Sequence, residues 1–223
     1  MKTIGVIGGI GPETTVTYYR LLIAAGHTRI VIDSVESGVL VPLVVGRNLA
    51  AVADFLSSEV ERLAAAGADV GLIAANTPHM CFAEIQRRSP IPLVSIVEAT
   101  AEHVAARGFR RVALFGTRMT MEGRFFPDEL SRREIETILP ADEERAYIHD
   151  KYMGELFEGH IVPATRRGLL AIVEAMAARS AIDAIILGGT ELSLILTDAA
   201  HDGIPLIDTT RIHVDAVLAR VAA

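Results

Sequence analysis

Two short stretches hold most of the residues that could do chemistry. Ala75-Asn76-Thr77-Pro78-His79 sets an amide, a hydroxyl and an imidazole directly after an apolar run. Asn76 and Thr77 can hydrogen-bond a carboxylate or an amino group, and Pro78 suits the first position of a following helix. His79 then falls in the first turn, where the helix dipole lowers an imidazole's pKa and favours the neutral ring. The second stretch, Leu187-Gly188-Gly189-Thr190-Glu191, also closes an apolar run and ends in a hydroxyl and a carboxylate. Glu191 can serve as a ligand for an ammonium group, as a partner holding His79, or as a helix cap. A third stretch, Gly8-Gly9-Ile10-Gly11-Pro12-Glu13-Thr14-Thr15, has glycines for a tight turn and a proline for a helix start. Backbone N–H groups there, at Gly9 and Ile10, favour an anion. The G-G-x-G-P spacing is not the dinucleotide-binding G-x-G-x-x-G, so a substrate carboxylate fits better than a pyrophosphate.

Positioning these groups requires strands that end where the polar residues begin. Apolar runs of strand length recur at Thr3–Ile7, Ile30–Ser34, Val70–Ala74, Ile91–Ser95, Arg111–Phe115, Ala184–Leu187 and Ile204–Ile207. Helical patterns fill most intervals, at Thr14–Ala25, Asn48–Ala66, Val97–Arg107, Glu122–Ile138, Asp142–Glu158, Pro163–Arg179 and Thr210–Val221. This alternation predicts an α/β fold with parallel strands and crossover helices.

The chain also resembles itself. Gly71–Thr77 echoes Ala184–Thr190, and Ile91–Val94 echoes Ile204–Ile207, both at a spacing of 113 residues (71 to 184, 91 to 204). Gly5–Gly9 echoes Ala113–Thr117 at a spacing of 108. Three ordered echoes imply two pseudo-symmetric, Rossmann-like halves, each a mostly parallel sheet flanked by helices. The expected division is 1–100 with 207–223 as the N-terminal half and 101–206 as the C-terminal half. Open parallel sheets bind ligands beyond the carboxyl ends of their strands, which places the expected site in the cleft between the halves.

Composition narrows the function classes. The 223 residues are 51% hydrophobic with a mean hydropathy of +0.38, the excess lying in aliphatic residues as buried strands require. A formal charge of −7 provides no basic face for nucleic acid. No apolar stretch approaches the roughly 18 to 20 residues of a membrane span, and the chain opens into a glycine turn in place of a signal sequence. A cytoplasmic protein is expected. The single cysteine, Cys81, cannot form an internal disulfide and reads as a small buried hydrophobe.

As a set, the motifs IGVIGGIGPETT (4–15), ANTPH (75–79), PLVSIVEAT (92–100), VALFGTRMTMEGRFF (112–126), PADEERAYIHDKYMGELFEG (140–159), LGGTEL (187–192) and PLIDTTRIHVDAV (205–217) resemble the aspartate/glutamate racemase family, the cofactor-independent amino-acid racemases. The likeness runs over nearly the whole chain. It implies a homodimer, a small carboxylate or amino-acid substrate, and no cofactor or metal. In that family two cysteines face the substrate Cα: one thiolate removes the proton and the other thiol returns one to the far face. Those positions precede Asn76 and Thr190, and here they hold Ala75 and Gly189. Arg47 matches the arginine that binds a substrate side-chain carboxylate, a task suited to its planar fork. Thr117 and Thr120 fall among the binding residues of the 112–126 motif, whereas Phe157 and Glu158 stand where some members carry a second basic ligand.

The leading expectation is therefore a racemase for a small acidic amino acid. Asn76, Thr77, Thr190 and Arg47 hold the substrate, and Ala75 and Gly189 mark vacated acid–base positions. One alternative is a cofactor-free decarboxylase or isomerase of a small dicarboxylate, with His79 as the proton donor and Thr77 and Thr190 steadying a carbanion. The other is a homologue that binds ligand without turnover.

Overall fold

In the computed structural model, which describes residues 1–222, strand β1 (Ile4–Gly8) is buried at all five positions, which is why its sequence shows no polar alternation. The chain continues through α1 (Pro12–Ala24), β2 (Ile30–Ser34), α2 (Ser37–Val45), α3 (Leu49–Ala65), β3 (Val70–Ile73), a 3₁₀ turn (Thr77–Cys81), α4 (Phe82–Arg88), β4 (Leu93–Val94) and α5 (Ile96–Ala106). A second series follows: β5 (Arg111–Phe115), α6 (Arg118–Glu122), α7 (Phe125–Ser131), β6 (Glu136–Ile138), α8 (Asp142–Lys151), a π-helical turn (Tyr152–Leu156), α9 (Pro163–Arg179), β7 (Ala184–Leu187), α10 (Leu192–Ile195), β8 (Ala200–His201), β9 (Ile204–Asp208) and α11 (Thr209–Ala222).

Two compact units result, Met1–Ala99 with the segment from Thr210 onward, and Thr100–Thr209. The first holds a parallel sheet in the order β2-β1-β3-β4. In the second, β6-β5-β7-β9 repeats that order in parallel, and β8 adds antiparallel to β9. The expected α/β class with two similar parallel sheets is what forms.

Register makes the repeat residue by residue. Ile7 pairs with Ile73, and the Ala74 N–H donates to the Ile7 carbonyl at 2.9 Å. Phe115 pairs with Leu187, and the Gly188 N–H donates to the Phe115 carbonyl at 2.7 Å. Ala74 thus matches Gly188 and Ala75 matches Gly189, a spacing of 114 where the sequence echo gives 113. Leu93, opposite Gly71, and Leu206, opposite Ile185, keep the spacing of 113.

Helices cover both faces of the first sheet. Val52, Leu56, Val60 and Leu63 recur at helical spacing along α3 and pack with Ile7, Ile73 and Ile85. Tyr18 and Leu22 of α1, with Val214 and Val217 of α11, pack against Ile4, Val6 and Leu72. In the second unit Ile148, Tyr152, Leu169 and Val173 bury against Phe115, Ile185 and Leu187. Among the described residues no helix is long and apolar enough to cross a membrane.

Several elements differ from expectation. The helix read over Glu122–Ile138 breaks into α6 and α7, since Gly123 ends the first and Glu134 turns left-handed at φ 57° after the second. The chain then pairs β6 with β5, held at its start by Arg111 Nε to Glu136 Oε2 at 2.8 Å. The helix over Asp142–Glu158 stops at Lys151 and gives way to the π turn. Helix α2 was not foreseen because its apolar run contains Pro42, an unusual residue for a helix interior.

Candidate active site at two strand ends

Beyond β3, Ala75 and Asn76 are buried, and Thr77 opens the 3₁₀ turn half-buried. His79 sits in that turn at 4% exposure with its ring stacked on Phe82, centroids 4.9 Å apart. Both ring nitrogens are committed to backbone. Nδ1 lies 2.9 Å from the Ala75 carbonyl, which can only accept, so Nδ1 carries the proton; Nε2 accepts the Ile96 N–H at 3.2 Å. Burial, followed by the nearby His213 ring, pushes the His79 pKa down to about 3. The neutral state was foreseen, but desolvation and not a helix dipole causes it, and the ring has no nitrogen left for a proton-donor role.

His213 is neutral for the same reason. Its Nε2 donates to the Val94 carbonyl at 2.9 Å and its Nδ1 receives the Tyr18 hydroxyl at 2.8 Å. Burial pushes it down to about 4. Cys81 is buried in the first unit's core and donates its Sγ–H to the Pro78 carbonyl at 3.3 Å. Burial pushes that thiol up to about 11, so it is no thiolate at neutral pH. Neither the two imidazoles nor the thiol exchanges protons near neutrality.

The second strand end is acidic. Glu191, 3% exposed, accepts hydrogen bonds from the Tyr152 hydroxyl and from Thr190 Oγ1, the latter at 2.9 Å. Burial first, then the Glu191 charge, pushes the Tyr152 phenol well above its ordinary value. Thr120, fully buried, and Thr117 share a hydroxyl contact at 3.2 Å, and Thr117 Oγ1 caps α6 by accepting the Thr120 N–H at 3.2 Å. Thr120 also packs where a Cβ at Gly116 or Gly188 would stand, at 3.0 and 3.1 Å.

The glycine turn is tighter than expected. Gly9 has φ 80°, and an added Cβ would meet the Val35 backbone and Ser34 Oγ. Its N–H donates to Thr15 Oγ1 at 2.8 Å, so that amide is engaged, while the Ile10 side chain is core. Arg47 is exposed and left-handed at φ 53°. Tyr152 was missed as a site residue. It lies 39 residues from Glu191 in sequence, and a lone tyrosine between Lys151 and Met153 gives no pattern to read.

The family model for Asp/Glu/hydantoin racemases matches residues 7–217. Among solved structures, the chain is similar to a candidate Asp/Glu racemase from Yersinia pestis, at 29% identity and a TM-score of 0.87 with both chains fully covered. An aspartate racemase homologue from Pyrococcus horikoshii OT3 matches at 29% identity and a TM-score of 0.83, again over all of both chains. The aspartate racemase of Picrophilus torridus, 21% identical with a TM-score of 0.81 over 100% of this chain and 95% of its own, shares the fold. With the matched model spanning nearly every element described above, the chain belongs to the Asp/Glu/hydantoin racemase family.

Proposed function

We propose that this chain binds a small acidic amino acid or dicarboxylate without cofactor or metal, and does not racemise it by thiol exchange. The carrying observation is the state of its one thiol: Cys81 is buried, bonded to the Pro78 carbonyl and pushed up to about 11. Ala75 and Gly189, at matched ladder positions, offer no proton carrier, and the His79 nitrogens are both held by backbone. Family membership supports an amino-acid ligand. Arg47 is assigned its side-chain carboxylate, Asn76 and Thr77 its polar head, and Ile10 a backbone contact.

Thermal scans with aspartate and glutamate of each hand test this reading. The expected result is a saturable rise in Tm, since a ligand at 100 times its Kd adds about 2.7 kcal/mol. In deuterium oxide the ligand's α-proton should persist by NMR. Rapid α-proton exchange by the unaltered protein would refute the reading and restore the racemase. The proposal includes a cytoplasmic homodimer, supported by Val16, Tyr19 and Ile23, which are 42%, 46% and 37% exposed at helical spacing on one side of α1. Light scattering should give twice the 23.9 kDa chain mass.

A further inference from the structure

Gly189 is not required by its backbone. The residues of positive φ in its unit are Gly108, Gly159 and Gly203 with Glu134 and Asp202, and Gly189 is not one of them. Nor is it squeezed by the sheet, unlike Gly116 and Gly188, where an added Cβ would stand 2.7 Å from the Gly188 carbonyl and 2.8 Å from the Phe115 carbonyl. At Gly189 the nearest obstruction is one aromatic ring: a Cβ there would overlap Tyr152 Cε2 and lie 3.0 Å from Cζ and 3.1 Å from the hydroxyl.

That ring is held in place. Tyr152 is 5% exposed and packs in the unit's core with Ile148, Leu156 and Leu187. It opens the π turn, which the Phe157 N–H closes on the Tyr152 carbonyl at 2.8 Å, and such turns recur at functional sites. Its hydroxyl donates to Glu191, the carboxylate that Thr190 also reaches. Moving the ring aside would strip a buried carboxylate of a donor and open a void in packed core.

We propose that Tyr152, anchored on Glu191, fills the volume of a residue 189 side chain, making Gly189 its obligatory counterpart and replacing an acid–base group at 189 with a phenol–carboxylate pair. The proposal rests on the reading above and deepens it: loss of the thiol is built into the packing of this strand end. A cysteine placed at 189 beside Tyr152 meets the ring, so Gly189→Cys by itself does not recover the family's chemistry.

A cycle of Tm measurements tests the pairing. Gly189→Ala is expected to lower Tm by roughly 5 °C or more, the effect of overpacking one carbon against a held ring. In a Tyr152→Leu background the same change should shift Tm by less than about 2 °C. In Tyr152→Phe, which keeps the ring and drops the hydroxyl, it should cost as much as in the unaltered protein. Equal losses with Tyr and Leu, relief in Phe, or no loss beside Tyr152 would each overturn the proposal. If Tyr152→Leu does not fold, the Phe background and the unaltered protein still decide it. Aspartate-induced stabilisation of the unaltered protein, read in the same scans, reports separately on the ligand reading; its absence removes that ligand and leaves the outcome of the cycle intact.

Discussion

The ends of β3 and β7 hold equivalent places in their ladders and opposite chemistry. After β3 a buried imidazole is wired to the Ala75 carbonyl and the Ile96 amide, with His213 and Tyr18 behind it, and both imidazoles are held neutral by desolvation. After β7 a buried carboxylate gathers the Tyr152 and Thr190 hydroxyls. Repetition has preserved where the strands stop and has left free what fills the space beyond them. Partners arriving from other elements decide each end's character: His213 from α11 in one unit, Tyr152 from the π turn in the other.

The largest way to separate the two ends is pH. His79 and His213 fall from an ordinary 6.5 to about 3 and about 4 in the folded chain. Below 6.5 the unfolded chain takes up protons that the folded one refuses. The stability these rings confer is complete above 6.5 and is lost as pH falls toward 4 and then 3. Between pH 7 and pH 5 the two rings together should remove about 4 kcal/mol, read as a falling urea midpoint. His213→Gln should lose about half of that dependence. A midpoint unchanged from pH 7 to pH 5 would break the picture of a neutral first strand end.

The second end should fail in the opposite direction. Tyr152 has its phenol raised, so its contribution is present below pH 10 and lost as pH climbs above it. Tyr152→Phe should abolish that alkaline limb and destabilise by about 1 to 3 kcal/mol at pH 7, the consequence of a buried carboxylate losing a donor. An alkaline limb that survives in Tyr152→Phe would assign the raised group to another residue.

How far this contrast could be read from the sequence depended on distance along the chain. β1, β3, β5 and β7 were legible because strands buried on both faces read as unbroken apolar runs, and the repeat located positions 75 and 189 to within one residue. Ala75, Gly189 and the isolation of Cys81 needed only the letters themselves. The wiring of His79 could not be read, because its partners are backbone groups that any residue at 75 or 96 would supply. Tyr152 was invisible for a different reason: a ring filling the place of an absent side chain leaves its mark on Gly189, 37 positions away, as a missing atom. β6 was hidden by its charged flanks, which resemble helix surface until Glu134 breaks the turn.

Arg47 offers the smallest effect and a sharper distinction, because fold and ligand pull on it in opposite directions. Helix α2 closes in a Schellman arrangement, with the Arg47 N–H donating to the Val44 carbonyl at 3.0 Å and the Asn48 N–H to the Leu43 carbonyl at 3.0 Å. Asn48 then caps α3 by accepting the Ala51 N–H on its side chain at 3.2 Å. Position 47 must be left-handed for this, a conformation glycine takes without the penalty of roughly 1 kcal/mol that a Cβ incurs. Arg47→Gly should therefore raise Tm by about 1 to 3 °C in the absence of ligand. If the guanidinium binds the ligand's side-chain carboxylate, the same variant should show a smaller rise in Tm with aspartate than the unaltered protein does. A stabilised variant that responds fully to aspartate would reduce Arg47 to a strained cap and leave the ligand reading without its proposed cation; a destabilised one would mean the arginine side chain contributes more to the fold than its backbone strain removes.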